Sequence, residues 1–177
     1  MAEELYTWVP FYTELATKLL PYKNDRAALI DKLQAMYESI DTKLPKLDDG
    51  GVPNDIDPFT IFGLFNKGIS SQNRRKIVAA LADVFCITAE LPNDFAGTPL
   101  LNNLNATFYA FIGDSRRGES DIDNLWDLFE AELALADADN PENRNAFAAA
   151  FDKTVGQFGL GWKLTMGLYW ARPLAFI

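Results

Sequence analysis

Between Pro58 and Ala82 the chain carries no acid, while Lys67, Arg74, Arg75 and Lys76 give this window a charge of plus four. Gln72 and Asn73 stand immediately before the arginines. Lys and Arg neutralise phosphates, Arg also pairs with guanine, and Gln or Asn pairs with adenine in the major groove. These six residues, with the Arg116-Arg117 pair further along, are the candidate DNA contacts. Cations in the first turn of a helix oppose its dipole, which favours an anionic partner for them.

Other chemistries are poorly served. The chain has no histidine, which removes the Ser-His-Asp and Cys-His systems, His-based zinc sites and the commonest general base. Carboxylate or lysine chemistry, or an acid-only metal site, remain. Asp48, Asp49, Asp55 and Asp57 lack the alternating spacing and closing glutamate of an EF-hand and read as a solvated turn. Asp127, Glu130 and Glu132 read as a solvated helix surface. Gly156 and Gly161 have the separation of a phosphate loop, but Trp162 occupies the lysine position, Lys163 comes one place late, and no strand precedes them. No catalytic residue, cofactor or metal is therefore assigned.

The elements that would carry the basic window are two helices. Asp57 is a good N-cap with Pro58 at the first helical position, and Phe59, Ile61, Phe62, Leu64 and Phe65 supply an apolar face. Asn66-Lys67-Gly68 predicts its end, with Gly68 as a left-handed cap. Ser70 or Ser71 caps a second helix carrying Ile77, Val78, Leu81, Val84 and Phe85. Helix, short turn, helix is the outline of a groove-reading module, in which the second helix enters the major groove by its first turns.

The same signals run along the chain. Thr7 caps a helix with Trp8, Phe11, Tyr12, Leu15 and Leu19 on one face; Asn24 or Asp25 opens the next, which ends near Ile40, and the two should lie antiparallel. Asp41 to Asp55 is turn chemistry and reads as an exposed connection, and residues 87–101 read as a loop. Asn102, Asn103 and Asn105 before Phe108, Tyr109 and Phe111 read as a helix cap with core aromatics, or as a polar and aromatic pocket wall. Ser120 and Asn140 open two further helices, and 164–170 forms a last buried helix or strand. Trp162, Tyr169 and Trp170 read as core.

At 177 residues, with 49% hydrophobic and 13% aromatic residues, the sequence predicts an all-α, mainly helical fold. One globular domain of six or seven helices spans 1–177, with at most a short strand near the C-terminus. The net charge of −9 comes largely from the stretch Asp114 to Asp152, so the basic window and the acids can face apart. Neither a secretory signal nor a membrane span is legible, and the one cysteine, Cys86, reads as a small core residue at a helix end. A cytoplasmic setting is the expectation. The apolar ending ARPLAFI suggests an N-terminal domain cut from a longer chain.

The segments IDPFTIFGLFNKGISSQNRRKI, PLLNNLNATFYAF, DIDNLWDLFE and WKLTMGLYWARPLAF, in this order, resemble the N-terminal region that precedes the AAA+ motor in some McrB-like restriction subunits. The resemblance implies a noncatalytic DNA-recognition domain of a modification-dependent restriction system serving antiphage defence. Its implied partners are DNA, including modified-base DNA, a downstream AAA+ module in the same chain, and a McrC-like nuclease subunit. Overall acidity departs from a typical DNA-binding domain. The alternative is a protein-interaction or assembly module of the same kind of complex, docking through its acidic helices or aromatic surface without touching DNA.

Overall fold

The computed structural model describes residues 6–102 and 105–176. Seven α-helices occur among them: α1 Val9–Leu19, α2 Arg26–Ser39, α3 Pro58–Gly63, α4 Ser71–Phe85, α5 Asp121–Asp137, α6 Pro141–Thr154 and α7 Lys163–Ala171. A 3-10 turn, Leu20–Asn24, links α1 to α2. Among the described residues β-structure is confined to two isolated bridges, Asp48 with Gly51 and Lys67 with Leu101. The helical fold class and the single compact domain expected from the sequence are what the chain forms.

The shortest helix sits at the centre. All six residues of α3 are buried, and it packs between α7 and α5, because an apolar residue at nearly every position leaves no face for water. Phe59 meets Phe108 and Phe129 at ring separations of 5.6 and 5.5 Å, and Phe62 meets Tyr12 of α1 at 5.8 Å. Asp57 caps this helix as its spacing predicts, accepting hydrogen bonds from the Phe59 and Thr60 amides and from the Thr60 hydroxyl. Thr60 Oγ1 in turn accepts from the Phe108 amide at 3.1 Å, which ties the 105–111 segment to α3.

The helix ends earlier than Gly68, which does not adopt the left-handed cap conformation. Gly63 closes it instead. A Cβ there would stand 2.6 Å from the carbonyl oxygen of Ala106, so the 105–111 segment approaches as closely as it does only because residue 63 lacks a side chain. Gly63→Ala should destabilise the protein by about 2 kcal/mol through this overpacking, read as a lower urea midpoint with an unchanged slope.

Buried tryptophans pin loops to this core. The indole N–H of Trp126 donates to Ile56 O at 2.9 Å, that of Trp8 to Ala96 O at 2.8 Å, and that of Trp170 to Pro99 O at 3.0 Å. A large apolar body with one polar tip satisfies loop carbonyls that would otherwise be buried without partners.

Several local expectations are corrected. Thr7 does not cap α1; its hydroxyl bonds Asp94, and Trp8 takes the cap position with no side-chain bond. Ser120 likewise caps α5 without a side-chain bond, whereas Asn140 and Ser70 cap α6 and α4 as expected. The connector after α1 stays helical, and α2 has α4 as its main helical partner. Cys86 is exposed and holds the left-handed C-cap of α4 (φ 51°), with its N–H bonded to α4 carbonyls, so it is no core residue. The segment 105–111 is not a helix. It runs over α3 with Phe108 buried and Asn102 exposed; Asn103 lies outside the described residues. The final segment is a helix, α7, with Trp170 buried, Tyr169 half-buried and Trp162 53% exposed.

Candidate nucleic-acid interface

The basic window divides into an inner and an outer set. Arg74 is only 7% exposed: its Nε donates to Phe65 O at 2.7 Å and its Nη2 to Lys67 O at 3.2 Å, while the guanidinium lies 5.0 Å from the Phe95 ring. It binds the turn between α3 and α4 onto the first turn of α4. Lys67 is 5% exposed, and burial lowers its pKa. Its residue bridges to Leu101, and the neighbouring Leu101 amide donates to Asn66 O. Both cations thus face inward, contrary to the phosphate-contact role their types suggest. Period explains this: Arg74 lies three and four residues before Ile77 and Val78, on the buried stripe of α4.

The outer set is Gln72, Asn73, Arg75 and Lys76, all exposed on the first turns of α4. Arg75 Nη2 reaches Asn93 O at 2.7 Å, and Lys76 Nζ reaches Thr42 Oγ1 at 3.3 Å. The latter contact brings the exposed neighbours of Thr42, Asp41 and Lys43, near the α4 cations. No local pattern in the sequence announces this proximity, because the packing of α2 on α4 creates it.

The geometry also departs from a helix-turn-helix. In that module the first helix crosses the DNA backbone and supports the second. Here α3 is enclosed by the core, and α4 rests on α1 and α2. Any groove contact would come from α4 alone, with its turn held from behind by Arg74.

Arg116 and Arg117 separate as well. Arg116 is exposed, paired with Asp114 through both nitrogens at 2.8 and 2.6 Å and stacked 3.7 Å over Phe158; the pairing holds the Asp114 carboxyl down at about 2. Arg117 is half-buried, donating to Asp48 Oδ2 at 3.1 Å and Ala110 O at 3.2 Å above the Tyr109 ring. Asp48 is itself buried and accepts from the Ile112 amide at 2.6 Å, so the 41–55 connection is docked at this point and not merely solvated.

The acids once suggestive of calcium have different partners: Asp49 accepts from Gly113 N, Asp55 pairs with Arg26, and Asp57 caps α3. Among the described residues no group of three or more Asp, Glu or Cys is placed to hold a metal. Asp127 and Glu130 are exposed and share Lys23. Glu132 is fully buried, with neither oxygen hydrogen-bonded among the described residues, and desolvation raises its pKa well above the usual carboxylate value. Its placement three residues after Phe129 puts it on the apolar stripe of α5, not on the solvated face.

A cleft of about 690 Å³ opens between the 105–116 segment and the turn entering α7, with Asn105, Thr107, Tyr109, Phe111, Phe158 and Lys163 in its wall. Asn105, Tyr109 and Phe111 thus meet as the pocket-wall reading of that segment has it, while Phe108 belongs to the core. Lys163 extends Nζ to Thr107 O at 3.2 Å, and burial lowers its pKa.

Fold and surface together define a helical single-domain protein. Residues 8–177 match the family model described as domain of unknown function DUF8425, and the chain belongs to that family. No curated protein and no solved structure matches it. Among the described residues no helix is long and apolar enough to cross a membrane.

Proposed function

We propose that this chain is a noncatalytic DNA-recognition domain of a McrB-like restriction system, with a downstream AAA+ motor and a McrC-like nuclease as the machinery it targets. The observation that carries the reading is the exposure of Gln72, Asn73, Arg75 and Lys76 together on the first turns of α4, in a window free of acids. Lys43 lies near this surface together with Asp41, and Arg74 fixes the turn beneath it, so the presenting helix is preorganised. Arg75, Lys76 and Lys43 serve as phosphate contacts; Gln72 and Asn73 reach base edges. The sequence resemblance supplies the biological setting.

Duplexes with and without modified cytosine, titrated by fluorescence anisotropy over a salt series, test this. The double variant Arg75→Glu/Lys76→Glu should abolish low-salt binding, and Arg75→Ala/Lys76→Ala should flatten the logarithmic salt slope by about 2. Absence of binding by the unaltered protein at low salt, or binding indifferent to both double variants, overturns the reading. Arg74 is unsuitable for charge reversal because its role is internal.

A protein-docking module is the second reading, favoured by the exposure of Val155, Phe158 and Trp162 close to the acidic helices. A partner that co-purifies despite the Arg75/Lys76 reversal, and is lost on changing Asp127 or Glu130, would place recognition on that side.

A further inference from the structure

The cleft beside α7 contains a cation whose surroundings do not complete it. Lys163 is half-buried and carries three donors, of which one is used, on Thr107 O. Among the described residues no carboxylate stands within ion-pair distance of it: the buried Asp57 acts on it only from further off, and Asp49 and Asp114 line the cleft. Those two acids are already engaged, Asp49 with the Gly113 amide and Asp114 with Arg116. Tyr109 lines the same wall, but its hydroxyl is buried behind it, without a hydrogen-bond partner among the described residues, and is not offered to the cleft.

Apolar and planar surface accompanies these polar groups. Phe111 and Phe158 line the cleft, with the Arg116 guanidinium carbon 3.7 Å from the Phe158 ring centroid and Lys46 Nζ 5.6 Å from that of Phe111. The Asn105 side chain, which accepts from Thr107 through its oxygen, is exposed at the same wall. A volume of about 690 Å³ is within the range of small-molecule sites. Gly159 stands in the wall on the α7 side, where a Cβ would meet nothing within 4 Å.

We infer that this cleft binds a small organic anion, a phosphate monoester or carboxylate carried on one planar ring, with the anion on Lys163 and the ring against Phe111 and Phe158. The anion supplies the acceptors that Lys163 lacks, and the ring covers apolar surface that water otherwise wets. This differs from a phosphate loop, since here one side chain and a cleft wall do the holding. The site is separate from the α4 surface and stands whether or not α4 meets DNA.

Phenyl phosphate and benzoate, titrated into the whole chain and followed by amide chemical shifts, provide the test, with inorganic phosphate and phenol as controls. Saturable shifts around Asn105, Phe158 and Lys163 are expected for at least one of the two ring anions, and which one identifies the anion. Each control lacks one half of the ligand and should bind several-fold more weakly. Lys163→Gln should weaken binding at least roughly tenfold, as loss of a charge-assisted contact. Phe158→Ala, at an exposed position where folding is not at risk, should weaken it several-fold. Arg75→Glu/Lys76→Glu should leave it unchanged, which separates this result from that of the DNA titration. No saturable shift with either ring anion at low-millimolar concentration overturns the inference, as does wild-type affinity in both Lys163→Gln and Phe158→Ala.

Discussion

Replacing Arg74 with alanine is expected to destabilise the protein by about 3 kcal/mol, whereas the same change at adjacent Arg75 should cost less than about 0.5 kcal/mol. The residues differ in what would be left behind. Arg74 satisfies the carbonyls of Phe65 and Lys67 at a buried position, and its removal strands Phe65 O, leaves Lys67 O with the Ile69 amide alone, and uncovers Phe95. Arg75 meets one carbonyl, Asn93 O, in an exposed setting where water substitutes for it. Urea unfolding of the two single variants measures the contrast. Equal losses would show that the turn before α4 does not depend on the Arg74 clamp. Because the clamp holds the start of α4 in place, Arg74→Ala should also weaken DNA binding without removing a phosphate contact.

Glu132→Leu is expected to stabilise the protein at pH 8 by about 2 kcal/mol, an effect that shrinks as the pH is lowered. The native carboxyl is fully buried without a hydrogen bond among the described residues, and the nearby Arg172 cation offsets its desolvation only in part. A folded-state pKa above the unfolded one means that the folded protein holds its proton more tightly. The contribution to stability is therefore complete below the unfolded value and is lost as pH rises through the folded value. Asp57 acts in the same sense, since burial raises it from the ordinary carboxylate value to about 6 despite the hydrogen bonds it accepts. Stability should consequently fall from pH 5 toward pH 8. Thermal melting of the native protein and of Glu132→Leu across this range tests both statements. A native curve that is flat or rises, or a variant less stable than native at pH 8, would contradict the assignment. Conversely, the lowered pKa of Asp114 beside Arg116 adds stability that is present above the ordinary carboxylate value and lost as pH falls from there through about 2, outside this window.

Helices whose boundaries are written in local chemistry were legible. Asp57-Pro58, Ser70 and Asn140 each place a side-chain acceptor against orphan amides only two or three residues away, so no distant part of the chain needs to be known. The C-terminal end of α3 and the form of 105–111 were not legible. Gly63 ends its helix under the carbonyl of Ala106, and the 105–111 segment is held by Thr60, both contacts spanning more than forty residues. Turn residues around Asp48 resemble a solvated loop until Ile112 and Arg117 arrive from across the molecule.

Side-chain roles divided in the same way. Composition and spacing by themselves determined a helical protein with a core rich in aromatic residues, no histidine chemistry, and a concentration of cations between two capped helices. Only the tertiary structure decided which cations face outward. Arg74 and Arg75 are adjacent and chemically identical, but a step of about 100° around the helix sends one to buried carbonyls and the other to water. Lys163, one place late for a phosphate loop, likewise acquires its interest from a cleft wall contributed by residues 105–116, because an unfilled set of donors is a property of surroundings that no local spacing encodes.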